Sequence, residues 1–185
     1  NSVLGGSYTQ KSWWQLSNSG QSSPFRETNY EPQLFLGFAT DYELAGWTLR
    51  DVEFGYNHQS NGRSDPTSRS WNRLYTRLMA QNGDWLVEVK PWYVVGNTDD
   101  NPDITKYMGY YQLKVGYQWG EAIWSVKGQY NWNTGYGGAE LGLSYPITKH
   151  VRLYTQLYSG YGESLIDYNF NQTRFGFGVM LNDLF

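Results

Sequence analysis

Apolar and polar positions alternate with a period of two along most of this chain, while the 3.6-residue period of an amphipathic helix is almost absent. The alternation predicts ten strands, near 3–16, 31–40, 46–60, 70–81, 84–96, 106–119, 122–132, 137–146, 149–159 and 172–185. In the fifth, Trp85, Val87, Val89, Tyr93 and Val95 take turns with Glu88, Lys90 and Trp92. In the seventh, Trp124, Val126, Tyr130 and Trp132 take turns with Ser125, Lys127, Gln129 and Asn131. The tenth carries Phe175, Phe177, Val179 and Leu181 on one face. Successive side chains of a strand point to opposite sides, so each segment has one apolar and one polar face.

A soluble sandwich alternates in the same way, but three features point to an all-β, antiparallel transmembrane barrel of about ten strands, one domain over residues 1–185. Many strands end in Trp or Tyr on the apolar face, as an interfacial aromatic girdle requires. Connections alternate in length: long near 17–30, 61–69, 97–105 and 160–171, short near 41–45, 81–84, 120–121 and 147–149. The chain also ends on Phe185 within an alternating strand. With short turns on the inner side, the apolar faces look out to lipid. The polar faces then fill the lumen with charges of both signs, among them Asp51, Glu53, Arg73, Arg77, Glu88, Lys114, Lys127 and Glu140.

Composition narrows this further. Seventeen Tyr and nine Trp suit the girdles, no Cys excludes disulfides and thiolate chemistry, and a net charge of −3 points to no nucleic-acid partner. No apolar run approaches the length of a membrane-spanning helix. Low overall hydropathy does not argue against a barrel, whose strands are half polar.

The third and fourth strands carry the candidate chemistry. His58 and Ser60 share the apolar face of Val52, Phe54 and Tyr56, an odd place for two polar groups. If Ser60 faces Ser70, then Glu53 faces Arg77 and Asn57 faces Arg73 inside the lumen, and His58 faces Asn72 outside. A serine hydroxyl needs a base within hydrogen-bond reach, and the base needs a third group to fix its tautomer. Ser60, His58 and Asn72 can fill those roles in order. A neutral amide in the third role stabilises imidazolium less than Asp, but it also avoids placing a carboxylate near the bilayer.

The run Tyr-Asn-His-Gln-Ser-Asn-Gly-Arg-Ser at 56–64, followed by Ser-Arg-Ser-Trp-Asn-Arg at 68–73, closely resembles bacterial outer-membrane phospholipase A, and the likeness extends along the whole chain. The resemblance implies a calcium-dependent serine hydrolase that cleaves acyl esters of phospholipids and lysophospholipids at the outer leaflet of the bacterial outer membrane and works as a homodimer. It places the nucleophile on Ser60, the base on His58 and the orienting residue on Asn72, with the Gly62 amide in the oxyanion hole. It implies calcium ligands at Ser22, Ser68 and the backbone carbonyl of Arg63, and a polar dimer contact at Gln10. The family barrel has twelve strands, and the likeness here begins at the third. A non-catalytic scaffold or small pore on the same template is the alternative reading. The acidic run Asn97–Asp103 lacks the spacing of an EF-hand loop and reads as a solvated connection.

Overall fold

In a computed structural model, which describes residues 2–14, 20 and 25–181, the chain forms one antiparallel sheet of ten strands in sequence order. The strands are β1 (Ser2–Trp14), β2 (Phe25–Leu44), β3 (Trp47–Ser60), β4 (Ser70–Asn82), β5 (Trp85–Val95), β6 (Tyr111–Trp119), β7 (Ala122–Asn131), β8 (Tyr136–Pro146), β9 (Val151–Gly160) and β10 (Gln172–Leu181). All ten predicted strands are present, but three boundaries differ by four residues or more; β2 runs on to Leu44, through most of the expected 41–45 turn, and pairs there with β3. β2 starts at Phe25 rather than near 31, because Glu27 and Asn29 continue the buried polar face. The sixth strand starts at Tyr111 rather than 106, because Ile104–Met108 forms a short helix, α1. Ile104 and Met108 lie four residues apart, on one side of α1, and both join the hydrophobic cluster beneath it.

The sheet curls so far that Lys11 on β1 reaches Glu140 on β8 at 3.7 Å. Among the described residues it does not close: β1 pairs with β2 and β10 with β9, but β1 and β10 do not pair with each other. The inner turns are tight. β2 passes to β3 through Ala45 and Gly46, both at positive φ, as the right-handed strand twist demands of a two-residue hairpin. At the outer end the β7–β8 connection is short, and the others are long.

The convex wall is apolar and exposed, with Leu34, Phe54 and Leu74 all more than half exposed on adjacent strands. Such a continuous apolar wall matches a lipid-facing surface. Trp85 and Tyr117 pack at a tilt near its inner rim with ring centroids 4.5 Å apart, and Trp132 is exposed near its outer rim. The concave side is polar and rich in ion pairs. Arg77 lies 2.6 Å from Asp51, 2.9 Å from Glu53 and 3.2 Å from Glu88, so one guanidinium compensates three carboxylates. Arg73 lies over the rings of Trp71 and Trp92 and pairs with Glu31 at 3.2 Å. Above this layer, α1 and the 161–171 connection place Ile104, Leu165 and Tyr168 against Trp71, Tyr75 and Trp92. The outer half of the lumen is therefore packed with side chains.

Candidate active site

The β3–β4 register is the predicted one: Glu53 faces Arg77, Asn57 faces Arg73, His58 faces Asn72 and Ser60 faces Ser70. Glu53 and Asn57 are buried inside while Phe54 and Tyr56 are exposed outside, so His58 and Ser60 belong to the outer wall, at the outer end of β3. Two rows cross that wall. One runs Gln10, Tyr30, Ser60, Ser70; the other runs His58, Asn72, Val95.

His58 Nδ1 lies 2.7 Å from Asn72 Oδ1. An amide oxygen only accepts, so Nδ1 carries the proton and Nε2 keeps its lone pair. This is the tautomer a general base needs, and Ser60 follows two residues on along the same face. Tyr56 Oη also donates to Asn72 Oδ1, at 2.7 Å. In the sequence Tyr56 reads only as part of the apolar face. Its position two residues before His58 is the signal that could have marked it.

The 61–69 connection is held from within. Buried Asn61 donates through Nδ2 to the Thr67 carbonyl at 2.8 Å, and its Oδ1 accepts from the Arg69 N–H at 2.9 Å. Gly62, the expected oxyanion donor, has φ 64°, and a Cβ there would come within 3.0 Å of the Tyr30 ring. Both the conformation and the close approach require glycine.

Of the three expected calcium ligands, Arg63 and Ser68 lie on this one connection, and Ser22 lies outside the described residues. The Arg63 side chain is tied to β2: its Nε is 3.1 Å from the fully buried carboxylate of Glu27, and its Nη2 donates to the Arg26 carbonyl. Ser68 Oγ donates to Asp100 Oδ2 at 2.6 Å, which sets a hydroxyl and a carboxylate oxygen side by side. Hard oxygen donors of this kind suit calcium, which takes hydroxyl, carbonyl and carboxylate oxygens. Gln10 is exposed on the outer face of β1, and its Oε1 accepts from Tyr8 Oη at 3.4 Å.

Below His58, an apolar groove of about 710 Å³ runs down the outer wall between Leu34, Leu36, Phe54, Tyr56, Leu74 and Tyr93. Tyr168, in the outer connection, is pushed well above the ordinary tyrosine range, first by burial and then by its hydrogen bond to the Asp103 carboxylate.

Fold and surface together define an outer-membrane-type β-barrel sheet with a Ser, a His and an Asn side by side on its lipid-facing wall. The phospholipase A1 family model matches residues 1–181, and the chain belongs to that family. It is 90% identical over its whole length to phospholipase A1 of Escherichia coli K12, of which it spans 64%. Among solved structures, outer membrane phospholipase A from Escherichia coli superposes with a TM-score of 0.96 at 90% identity, over all of this chain and 77% of that one. The Salmonella typhi outer membrane phospholipase dimer with bound calcium superposes with a TM-score of 0.96 at 88% identity, over all of this chain and 72% of that one.

Proposed function

We propose that this chain, a single barrel domain, carries the hydrolytic site of a calcium-dependent phospholipase acting on phospholipids and lysophospholipids at the outer leaflet of the outer membrane. The observation that carries this reading is the 2.7 Å contact of His58 with Asn72 on the face that also bears Ser60. The relatives' names agree with it.

In this reading Ser60 Oγ attacks the ester carbonyl while His58 Nε2 takes the hydroxyl proton. Asn72 holds the imidazole through Nδ1–H, and the Gly62 N–H donates to the oxygen on which charge builds. His58 returns the proton to the departing lysolipid or glycerol oxygen, leaving an acyl ester on Ser60. Water activated by His58 then releases the fatty acid. The groove below His58 holds the acyl chain, so that the ester stays at the rim while the chain remains in an apolar setting. Ser68, the Arg63 carbonyl and Ser22 would hold calcium, which would supply positive charge to offset the negative charge that builds on the ester oxygen. Gln10, on the same row as Ser60, contacts the second copy of a homodimer. The filled outer lumen argues against the small-pore alternative.

The test is hydrolysis of a lysophospholipid in detergent, with calcium and with excess chelator. Calcium should raise turnover, and Ser68→Ala should weaken that dependence. Full activity in chelator refutes the calcium role, and absence of sulfonyl-fluoride labelling at Ser60 refutes the hydrolase.

A further inference from the structure

We propose that Tyr56 is a positioning residue that locks the Asn72 amide so that it can orient His58; the proposal deepens the Ser60–His58–Asn72 reading and rests on it. Asn72 Oδ1 receives two donors, His58 Nδ1 at 2.7 Å and Tyr56 Oη at 2.7 Å. A carbonyl oxygen has two lone pairs, so both are accommodated at once. The register explains the reach. Asn72 lies directly opposite His58, and Tyr56, two residues back on the same face, sits on the diagonal, which an aromatic side chain can span. On the other side of the amide, Gly96 approaches closely: a Cβ there would lie 3.4 Å from Asn72 Nδ2.

The chemistry gives this arrangement a purpose. A carboxylate presents an acceptor whichever way it turns, but an amide rotated by half a turn presents NH₂ to the imidazole. An Asn in this role therefore needs its oxygen held in place. An ordinary girdle tyrosine turns its hydroxyl toward the membrane–water interface. The Tyr56 ring lines the apolar wall with Leu34 and Leu74, while its hydroxyl is spent on Asn72. Held this way, Asn72 keeps His58 in the Nδ1–H form, which is the minor tautomer of a free histidine.

The chain has two histidines, so ¹⁵N-histidine spectra of the folded protein in micelles, with His150→Gln to clear the second signal, read the His58 tautomer without needing turnover. Neutral His58 should be Nδ1–H in the parent and a mixture with Nε2–H in Tyr56→Phe, as in Asn72→Ala. Tyr56→Phe should also slow sulfonyl-fluoride labelling of Ser60 about 5- to 10-fold, the worth of one neutral hydrogen bond. Added to Asn72→Ala it should slow labelling no further, because a residue acting only through Asn72 has nothing left to hold. An unchanged tautomer and labelling rate in Tyr56→Phe overturns the proposal and leaves the triad standing. So does an equal, additive loss in the Asn72→Ala background, the signature of general wall packing. A parent His58 in the Nε2–H form overturns the proposal and the triad together. A parent with Nδ1–H and no labelling at Ser60 overturns the hydrolase reading alone, and the tautomer of Tyr56→Phe still decides the role of Tyr56.

Discussion

Asn61 and Arg69 close the outer connection between β3 and β4 on each other: the Asn61 N–H donates to the Arg69 carbonyl at 3.0 Å, and the Arg69 N–H returns to Asn61 Oδ1 at 2.9 Å. Everything proposed for Gly62, Arg63 and Ser68 hangs from this clasp. Asn61→Ala removes the side-chain half of it and takes a partner from the half-exposed Thr67 carbonyl and Arg69 N–H, at a cost of about 1–2 kcal/mol. Amide exchange at 62–68 should speed up while β3 and β4 stay protected, and labelling of Ser60 should slow. Unchanged exchange in the connection would show that the backbone holds its shape without the side chain.

Triad members act as a unit, so Ser60→Ala should lower lysophospholipid turnover by about 10⁴-fold or more. Asn72→Ala should cost less, because His58 still meets Ser60 part of the time. Asn72→Asp should retain more activity than Asn72→Ala, since a carboxylate also accepts from Nδ1–H. If Ser60→Ala turns over at the parent rate, the nucleophile lies elsewhere.

Arg77 pairs at once with Asp51, Glu53 and Glu88. Arg77→Met should destabilise the sheet by about 2–3 kcal/mol, the cost of leaving buried Glu53 and half-buried Asp51 and Glu88 without this partner. Tryptophan fluorescence during guanidinium unfolding measures it. Glu88→Gln, which keeps shape and hydrogen bonding, should cost much less. Equal stability of parent and Arg77→Met would mean that the lumen admits enough water to solvate the three acids.

Tyr168 holds its proton more tightly in the fold than in the unfolded chain, because it is buried and donates to Asp103. A raised pKa favours the neutral phenol, so this contribution is complete below the unfolded value, near 10, and fades as pH climbs beyond it toward the folded value. Ultraviolet titration should show a late tyrosine that disappears in Tyr168→Phe. The outer connection should lose exchange protection above about pH 10 in the parent, but less steeply in the variant. A variant with the parent's full set of late-titrating tyrosines would contradict this assignment.

Local pattern determined much of this protein. A period of two is written into neighbouring residues, so the ten strands, their apolar and polar faces and three of the four inner turns follow from residue order alone. The β3–β4 register was legible because a one-residue slip would turn Glu53 and Asn57 out to the apolar wall. That register brings His58 to Asn72 and leaves Ser60 on the same face. Tertiary structure decided what depends on distant partners. Arg26 meets Asp167 at 2.7 Å across most of the chain, and α1 and the 161–171 connection meet over the lumen. Strand alternation carries no information about either contact. It also does not reveal that the sheet stays open between β1 and β10 among the described residues, because closure depends on edges rather than faces. Nor does it reveal where a hydroxyl points: Tyr56 reads as one more wall aromatic until cross-strand geometry turns its oxygen to Asn72.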